Sequence, residues 1–398
     1  MKVTGRAAHP GSQGAMVHLE PDGRCRPVCH ACGGRAMTVH SKGHRRMVRD
    51  LNLADRKVIL HVTYRKVWCV HCGKAKVEQM SFCHAGQRLT HRLRRYVYEL
   101  CKLMPIADVA RHLDLDPKTV KAIDQEFLEE EFGQTDYGNL VALAIDEVSV
   151  GRGQQYLTVV LDYLTGRVVW TGKGHDIETL DRFFAGMSDS QKQAVRAVAM
   201  DMWEAYINRV RHHCPGAVIV FDFFHVVKAY GRVIDEVRRA EVRQACGPGK
   251  QAIKGSRYLL LWNRENLSEQ QQGRLEELLK LNSKLNAVYV LKDQLKMIYH
   301  YKQRPAARQA MEEWIASAAQ VDNPYMCQFI QMLRGHQDGI LDHCRWPIGT
   351  SCLEGVNNKI KLIQRRAYGF HDMRYFGLKI KQAFPGPDPP AESGNFLG

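Results

Sequence analysis

Residues 141–172, VALAIDEVSVGRGQQYLTVVLDYLTGRVVWTG, decide the fold. Three strand-like runs, VALAID, QYLTVVLDY and GRVVWTG, follow one another, and the turn residues Gly151-Arg152-Gly153 and Thr165-Gly166 join them into a meander. Beyond them come a helix (ETLDRFFAGM), an apolar strand (AVRAVAMD), a second helix (MWEAYINRVRHH) and a buried strand (AVIVFD). The order β-β-β-α-β-α-β predicts an α/β domain built on a mixed sheet flanked by helices.

C-terminal to this core, Val226 to about Gln337 reads as helix throughout, as in VIDEVRRAEVR, SEQQQGRLEELLKL and RQAMEEWIASA. Trp262 and Trp314 lie in this helical segment and are expected in its core, the competing role being contact with distorted DNA. A last core helix begins near Cys352, and PGPDPPAESGNFLG reads as a loose tail. N-terminal to the core, Leu93–Leu103 has helical periodicity and a short helix follows from Pro105 to Leu113. Asp116-Pro117 is then a helix start, an aspartate cap before proline at the first helical position. The pair of helices fits a helix-turn-helix whose second helix turns Lys118 and Lys121 toward the DNA major groove; an ordinary helical hairpin with a solvated lysine face competes. Glu129-Glu130-Glu131 ends the basic region. The expected division is 1–90, 91–137, 138–228, 229–344, 345–384 and a flexible tail at 385–398.

The first of these segments contains Cys29-His30-Ala31-Cys32-Gly33 and Cys69-Val70-His71-Cys72-Gly73, two C-x-x-C-G knuckles 36 residues apart. A two-residue gap lets both thiolates of a knuckle point at one ion, and two knuckles complete a closed tetrahedral zinc site. Cys29, Cys32, Cys69 and Cys72 are therefore the expected ligands. Cys25, Cys83 and His84 are spare, and buried or unrelated cysteines are the alternative. Between the knuckles LNLADRKVILHVTYRKVW reads as two strands with Val58, Leu60, Val62 and Tyr64 alternating, so a zinc ribbon with a β-hairpin fits.

The chain has 398 residues and a formal charge of +15, enough for two or three domains. The charge is local: residues 1–120 hold 22 Lys+Arg against 9 Asp+Glu. A basic first third attached to a nearly neutral remainder points to a nucleic-acid partner rather than an anionic membrane. No apolar run is long enough to span a bilayer and the first residues lack a signal-peptide pattern, so the cytoplasm is expected. No Walker-type loop appears, which argues against ATP dependence.

Three acids stand where the strand–helix order can gather them: Asp146 near the end of the first strand, Asp201 at the end of the fourth, and Glu354 at the start of the last core helix. Carboxylates so placed repel one another unless divalent cations sit between them, and magnesium or manganese suits such oxygens. Two ions about 4 Å apart serve in-line phosphoryl displacement. Each acid has a rival reading. Glu147 is the structural neighbour of Asp146, Asp201 resembles a helix cap, and Glu354 lies at capping-box spacing from Ser351. Glu354, Asn358, Lys361 and Arg365 form one polar helix stripe opposite Val356, Ile360 and Ile363, which suits metal binding beside DNA phosphates. Asp222 also follows a strand and competes with Asp201; with His225 at i, i+3 it is expected to support the site.

Taken in this order and spacing, the two knuckles, AIDEVSVGRGQQYLTVVLDYLTGRVVWTG, VAMDMWEAYINRV, AVIVFDFFHVVK and TSCLEGVNNKIKLIQRRAYGF resemble the bacterial insertion-sequence transposases of the ISL-three family. The resemblance covers most of the chain. It implies an RNase H-like DDE catalytic core interrupted by an all-helical insertion, with Asp146, Asp201 and Glu354 as the catalytic acids and Asp222 and His225 matching a D-x-x-H pair. It also implies recognition of terminal inverted repeats by the N-terminal region and a dimer or larger assembly on DNA. Two readings compete: a metal-dependent nuclease or resolvase that cuts without joining, and a zinc and helix-turn-helix regulator without catalysis.

Overall fold

The computed structural model describes residues 1–8, 14–35, 38–54, 56–151, 155–349 and 351–387, with the backbone alone at Pro248 and Ser351. Arg152 and Gly153 of the first expected turn, the Ser351 side chain and most of the expected tail lie outside the described residues. Two compact units divide the chain, Met1–Gly133 and Gln134–Gly398.

The first unit begins with five strands, β1 (Lys2–Ala8), β2 (Gly14–Glu20), β3 (Thr38–Leu53), β4 (Arg56–Cys69) and β5 (Lys74–Val77), in the order β1-β2-β4-β3 with β5 also on β4. The alternation read from the sequence is used: Val58, Leu60, Val62 and Tyr64 of β4 meet Val48, Met80 and Cys83 in a small core. The hairpin is longer than the sequence suggested, reaching back to Thr38, and a β1–β2 pair precedes it. Residues 40–49 carry His, Lys and Arg at most positions, so pairing with β4, and not an apolar pattern, defines that strand. Three helices follow, α1 (His91–Leu103), α2 (Ile106–Leu113) and α3 (Pro117–Phe132). Helix α3 starts where expected, with the Asp116 carboxylate accepting from the backbone N–H groups of Lys118 (2.9 Å) and Thr119 (3.1 Å). Leu93, Val97, Val109, Leu113, Val120 and Ile123 close the core among the three helices.

In the second unit β6 (Ala142–Ser149), β7 (Tyr156–Asp162) and β8 (Val168–Lys173) form the expected antiparallel meander. Then come α4 (Ile177–Ala185), a short α5 (Asp189–Ala194) that periodicity did not reveal, β9 (Ala197–Met200), α6 (Glu204–His213) and β10 (Val218–Phe221). A capping box between Ser188 and Gln191 starts α5. The sheet order is β10-β9-β6-β7-β8, with β9 parallel to β6 and β10 parallel to β9, so the sheet is mixed. Helices α7 (Phe223–Gln244), α8 (Gly247–Ile253), α9 (Arg257–Leu261), α10 (Glu269–Leu281), α11 (Ser283–Ile298), α12 (Arg304–Ala318), α13 (Pro324–Gly335) and α14 (Gln337–Leu341) make the helical segment, and α15 (Ser351–Arg366) and α16 (Met373–Ala383) complete the unit.

The two faces of the sheet bury different helices. Leu143 and Ile145 of β6 pack with Leu180, Phe183, Tyr206 and Ile207 of α4 and α6, in a core continuous with the helical segment. Ala144 and Val148, on the opposite face, pack with Leu353, Val356 and Ile360 of α15 and with Phe376 and Ile380 of α16. Trp314 is buried as expected and its indole N–H donates to the Leu291 carbonyl at 2.8 Å. Trp262 is not in the core: it is 46% exposed. Among the described residues no helix is long and apolar enough to cross a membrane.

Candidate functional site

The register of the three parallel strands sets out the acids. Ala144 of β6 pairs with Ala199 of β9, and Ala199 pairs with Val220 of β10. Two residues further along each strand stand Asp146, Asp201 and Asp222. A step of two keeps a side chain on the same face, and Ala144, Ala199 and Val220 all lie in the core beneath α15. Asp146 thus lies on the α15 face of β6, while Asp201 and Asp222 stand one residue past the ends of β9 and β10, and the charge of Asp201 bears on Glu147 of the other face as well as on Asp146. Asp146 is not quite at a strand end, because β6 continues to Ser149 beside β7; it is the pairing with β9 that stops at Ala144. Asp146 therefore lies two residues beyond the last pair of β6 with β9.

Helix α15 reaches Asp146 with Asn357. Its side-chain amide donates to Asp146 Oδ2 at 2.8 Å, and two helical turns on, Gln364 donates to the Val150 carbonyl. The sequence reading missed Asn357. Its signal was there: it lies between Val356 and Ile360, at the border of the apolar face, whereas the stripe through Glu354 and Asn358 points farther from the sheet. Glu354 itself is exposed on the first turn of α15, and Asn358, Lys361 and Arg365 are exposed along the same helix.

Burial and neighbouring charge shift the carboxyls of Asp146 and Glu147. Burial holds the Asp146 carboxyl above the usual aspartate range, opposed by the Glu147 backbone N–H, by the His225 imidazole and by the Asn357 amide, and reinforced by Asp201. Glu147, on the opposite face with Leu143 and Ile145, is pushed up to about 8 by burial and then by the charges of Asp201 and Asp146. Asp201 accepts from the Trp203 backbone N–H at 3.1 Å, yet Trp203 occupies the cap position of α6. The cap role anticipated for Asp201 belongs instead to Asp222, which is buried and accepts from Phe224 N–H at 3.3 Å to start α7. Asp222 Oδ1 is engaged by that cap.

Among the described residues, the acids do not close into a group with three or more ligand atoms mutually within 4.8 Å. Their chemistry nevertheless fits a divalent cation. The donors are hard oxygens, and Asn357 Oδ1 is buried beside Asp146 without a hydrogen-bond partner.

The four knuckle cysteines do close, with Cys29, Cys32, Cys69 and Cys72 sulfurs all within 4.8 Å of one another. Gly33 and Gly73 adopt φ of 70° and 63°, the left-handed turn that brings each chain back around its sulfurs. The Cys72 backbone N–H, aimed at Cys69, pulls that thiol down to about 6, and the sulfur of Cys69 in turn pushes Cys72 up. A structural zinc fits this set. The spare ligands stand elsewhere: Cys83 is buried and accepts from Arg46 at 3.0 Å, His84 stacks edge-on with His91, and Cys25 is exposed. On α3 the side chains of Lys118 and Lys121 are exposed.

A helix-turn-helix and an acid-bearing mixed sheet in one basic chain are the parts a DDE transposase is built from. Comparison with known families makes the assignment specific: residues 143–380 match a transposase family model, the DDE domain of ISL3 elements, and residues 78–128 match the helix-turn-helix domain of transposase family ISL3. The chain belongs to this family. It is 42% identical over 374 residues to the transposase for insertion sequence element IS1001 of Bordetella parapertussis, an alignment covering 93% of this chain and 91% of the relative. It is 29% identical over 370 residues to the transposase for insertion sequence element IS1557 of Mycobacterium tuberculosis, covering 86% and 82%.

Proposed function

We propose that this transposase binds the terminal inverted repeats of its insertion sequence and cuts and joins DNA phosphodiesters in an RNase H-like core, with Asp146, Asp201 and Glu354 as the catalytic acids. The observation that carries the reading is Asp146 of β6 bonded by α15, with Asp201 and Asp222 just past the ends of the next two strands of the sheet. The meander with two parallel strands added beside its first strand, followed by a helical insertion and a closing helix, supports the RNase H-like assignment.

Two divalent cations, magnesium or manganese, would supply activation of the attacking oxygen and stabilisation of the leaving one. Asp146 and Asp201 hold them from adjacent strands. Glu354 completes the set from α15; it lies three residues from Asn357, a spacing that makes the two helix-surface neighbours, and Asn357 bonds Asp146. Asn357 orients Asp146 and offers its buried Oδ1 to the same space. His225 favours the charged form of Asp146, and Asp222 supports the site while anchoring α7. Asn358, Lys361 and Arg365 face DNA phosphates along α15, and Lys118 and Lys121 face the major groove from α3. Zinc on the four cysteines fixes the N-terminal module. The protein acts as a dimer or larger assembly in the cytoplasm, on the nucleoid. We retain the sequence division 1–90, 91–137, 138–228, 229–344 and 345–384 as the working domain boundaries.

The test is incubation with labelled element ends, target DNA and magnesium. Strand-transfer products that disappear with Asp146→Asn, while end binding persists, are expected. Undiminished cleavage by that variant would discard the site.

A further inference from the structure

Trp262 and Tyr258 are, with Tyr301 and Tyr325, aromatic side chains of the helical segment that the fold leaves exposed, and these two lie side by side. Tyr258 is 58% and Trp262 46% exposed, and their rings, one helical turn apart, lie with centroids 5.6 Å apart. The guanidinium of Arg257 stands 5.8 Å from the Tyr258 ring centroid. Of the cations from Gly247 to Arg264, Arg257 and Arg264 pair with Asp235 and Glu276, and Lys250 and Lys254 are exposed. A tryptophan and a tyrosine exposed side by side in a segment with exposed lysines are what a base plane and its phosphates require of a protein.

The segment is also pinned from below. Lys292, 2% exposed, donates to the carbonyls of Leu260 (2.8 Å) and Trp262 (2.9 Å), and its ammonium lies 4.2 Å from the Tyr289 ring centroid. Burial pushes this lysine down to about 8. Lys296 adds a bond to the Asn263 side chain. A buried cation carries a desolvation cost, and here it fixes the backbone immediately under the exposed rings.

Helix α9 places the pair relative to the acids. Arg257 lies 3.6 Å from Asp235, and Leu261 packs on Gly231, where a Cβ would meet its Cδ2 at 3.3 Å. α9 therefore runs antiparallel to α7, with Trp262 at the end nearer Asp222. Gly231 is nine residues beyond Asp222, about 14 Å along the helix.

We infer that Tyr258 and Trp262 form a stacking platform for an unpaired nucleobase of DNA strands a few nucleotides from the catalytic acids. The inference rests on the DNA-cleaving role proposed above, and adds to it a site selective for single-stranded or unpaired DNA.

The test uses the full chain and a single-stranded oligonucleotide carrying iodouracil, with photocrosslinks mapped to peptides. Affinities for single-stranded and duplex DNA are measured in parallel for Trp262→Ala, Tyr258→Ala and Trp262→Phe. Crosslinks at Trp262 or Tyr258 are expected, together with about tenfold weaker single-strand binding for each alanine variant. Trp262→Phe should recover most of the loss, and duplex binding should not change. Crosslinks confined to other peptides overturn the inference, whether or not the alanine variants fold. So does an equal loss on duplex and single strand, or a change in sedimentation without a change in DNA affinity, which would make the pair a protein contact. Asp146→Asn is the separate arm: it should keep the crosslink and lose cleavage, so failure of the platform and failure of the active-site assignment give different results.

Discussion

The thiols of the first unit and the carboxylates of the second are both metal-type ligand sets, but among the described residues only the thiols gather within 4.8 Å. The difference follows from charge. Thiols are neutral until one gives up its proton, and Cys32 and Cys69 approach to 3.4 Å. Two carboxylates 4 Å apart repel by about 4 kcal/mol at an effective dielectric constant of 20. The cysteines are also delivered by two short knuckles whose glycine turns fix them locally. The acids come from three strands and a helix, and are held by Asn357 and by backbone N–H groups short of mutual contact. The cysteine site is thus shaped by short local segments, whereas the acids depend on elements far apart in the chain.

This contrast can be broken most forcefully at the thiols. Removing zinc, or Cys69→Ser, takes away a binding free energy on the order of 10 kcal/mol. Loss of cooperative unfolding in Met1–Gly133 and of DNA-end binding is expected, with the transition of the second unit retained, as read by calorimetry and gel shift. If the metal-free first unit keeps both, hydrogen bonding among the knuckles is sufficient without an ion.

At the carboxylates, Asp146→Asn should lower end cleavage by about a thousandfold or more, equivalent to roughly 4 kcal/mol of transition-state stabilisation. Single-turnover cleavage measures it, and a loss under tenfold would move the chemistry elsewhere. Asn357→Ala is expected to weaken manganese binding by about 10- to 100-fold while leaving the fold intact. A manganese titration followed by calorimetry checks this independently of turnover; an unchanged isotherm would make Asn357 a packing residue only. The smallest effect lies in the helix-turn-helix. Replacing Lys118 and Lys121 together by alanine should reduce the slope of log affinity against log salt by about 2, with little change in which DNA is preferred. An unaltered slope would place the phosphate contacts on another surface.

Much of this was legible along the chain. The meander, the alternation of Val58 to Tyr64, the Asp116-Pro117 helix start and the apolar face of Val356, Ile360 and Ile363 were all written in local periodicity, and the structure uses each of them. What escaped has identifiable causes. The early part of β3 is masked by His, Lys and Arg and becomes a strand through its partner β4. Trp262 sits at a helical position that periodicity would bury, but α9 ends at Leu261 and the ring turns out. Asn357 looks like any polar helix residue until β6 is set beside α15.

The sequence by itself determined the elements, the two knuckles and the acids available, because turn chemistry, side-chain alternation and C-x-x-C spacing act over a few residues. Tertiary structure alone decided which acids share a face, which aspartate is spent as a helix cap, and which amide of α15 touches Asp146. Those relations depend on the register between strands and on how a helix seats on a sheet, and residues separated by more than two hundred positions acquire them only when the core packs.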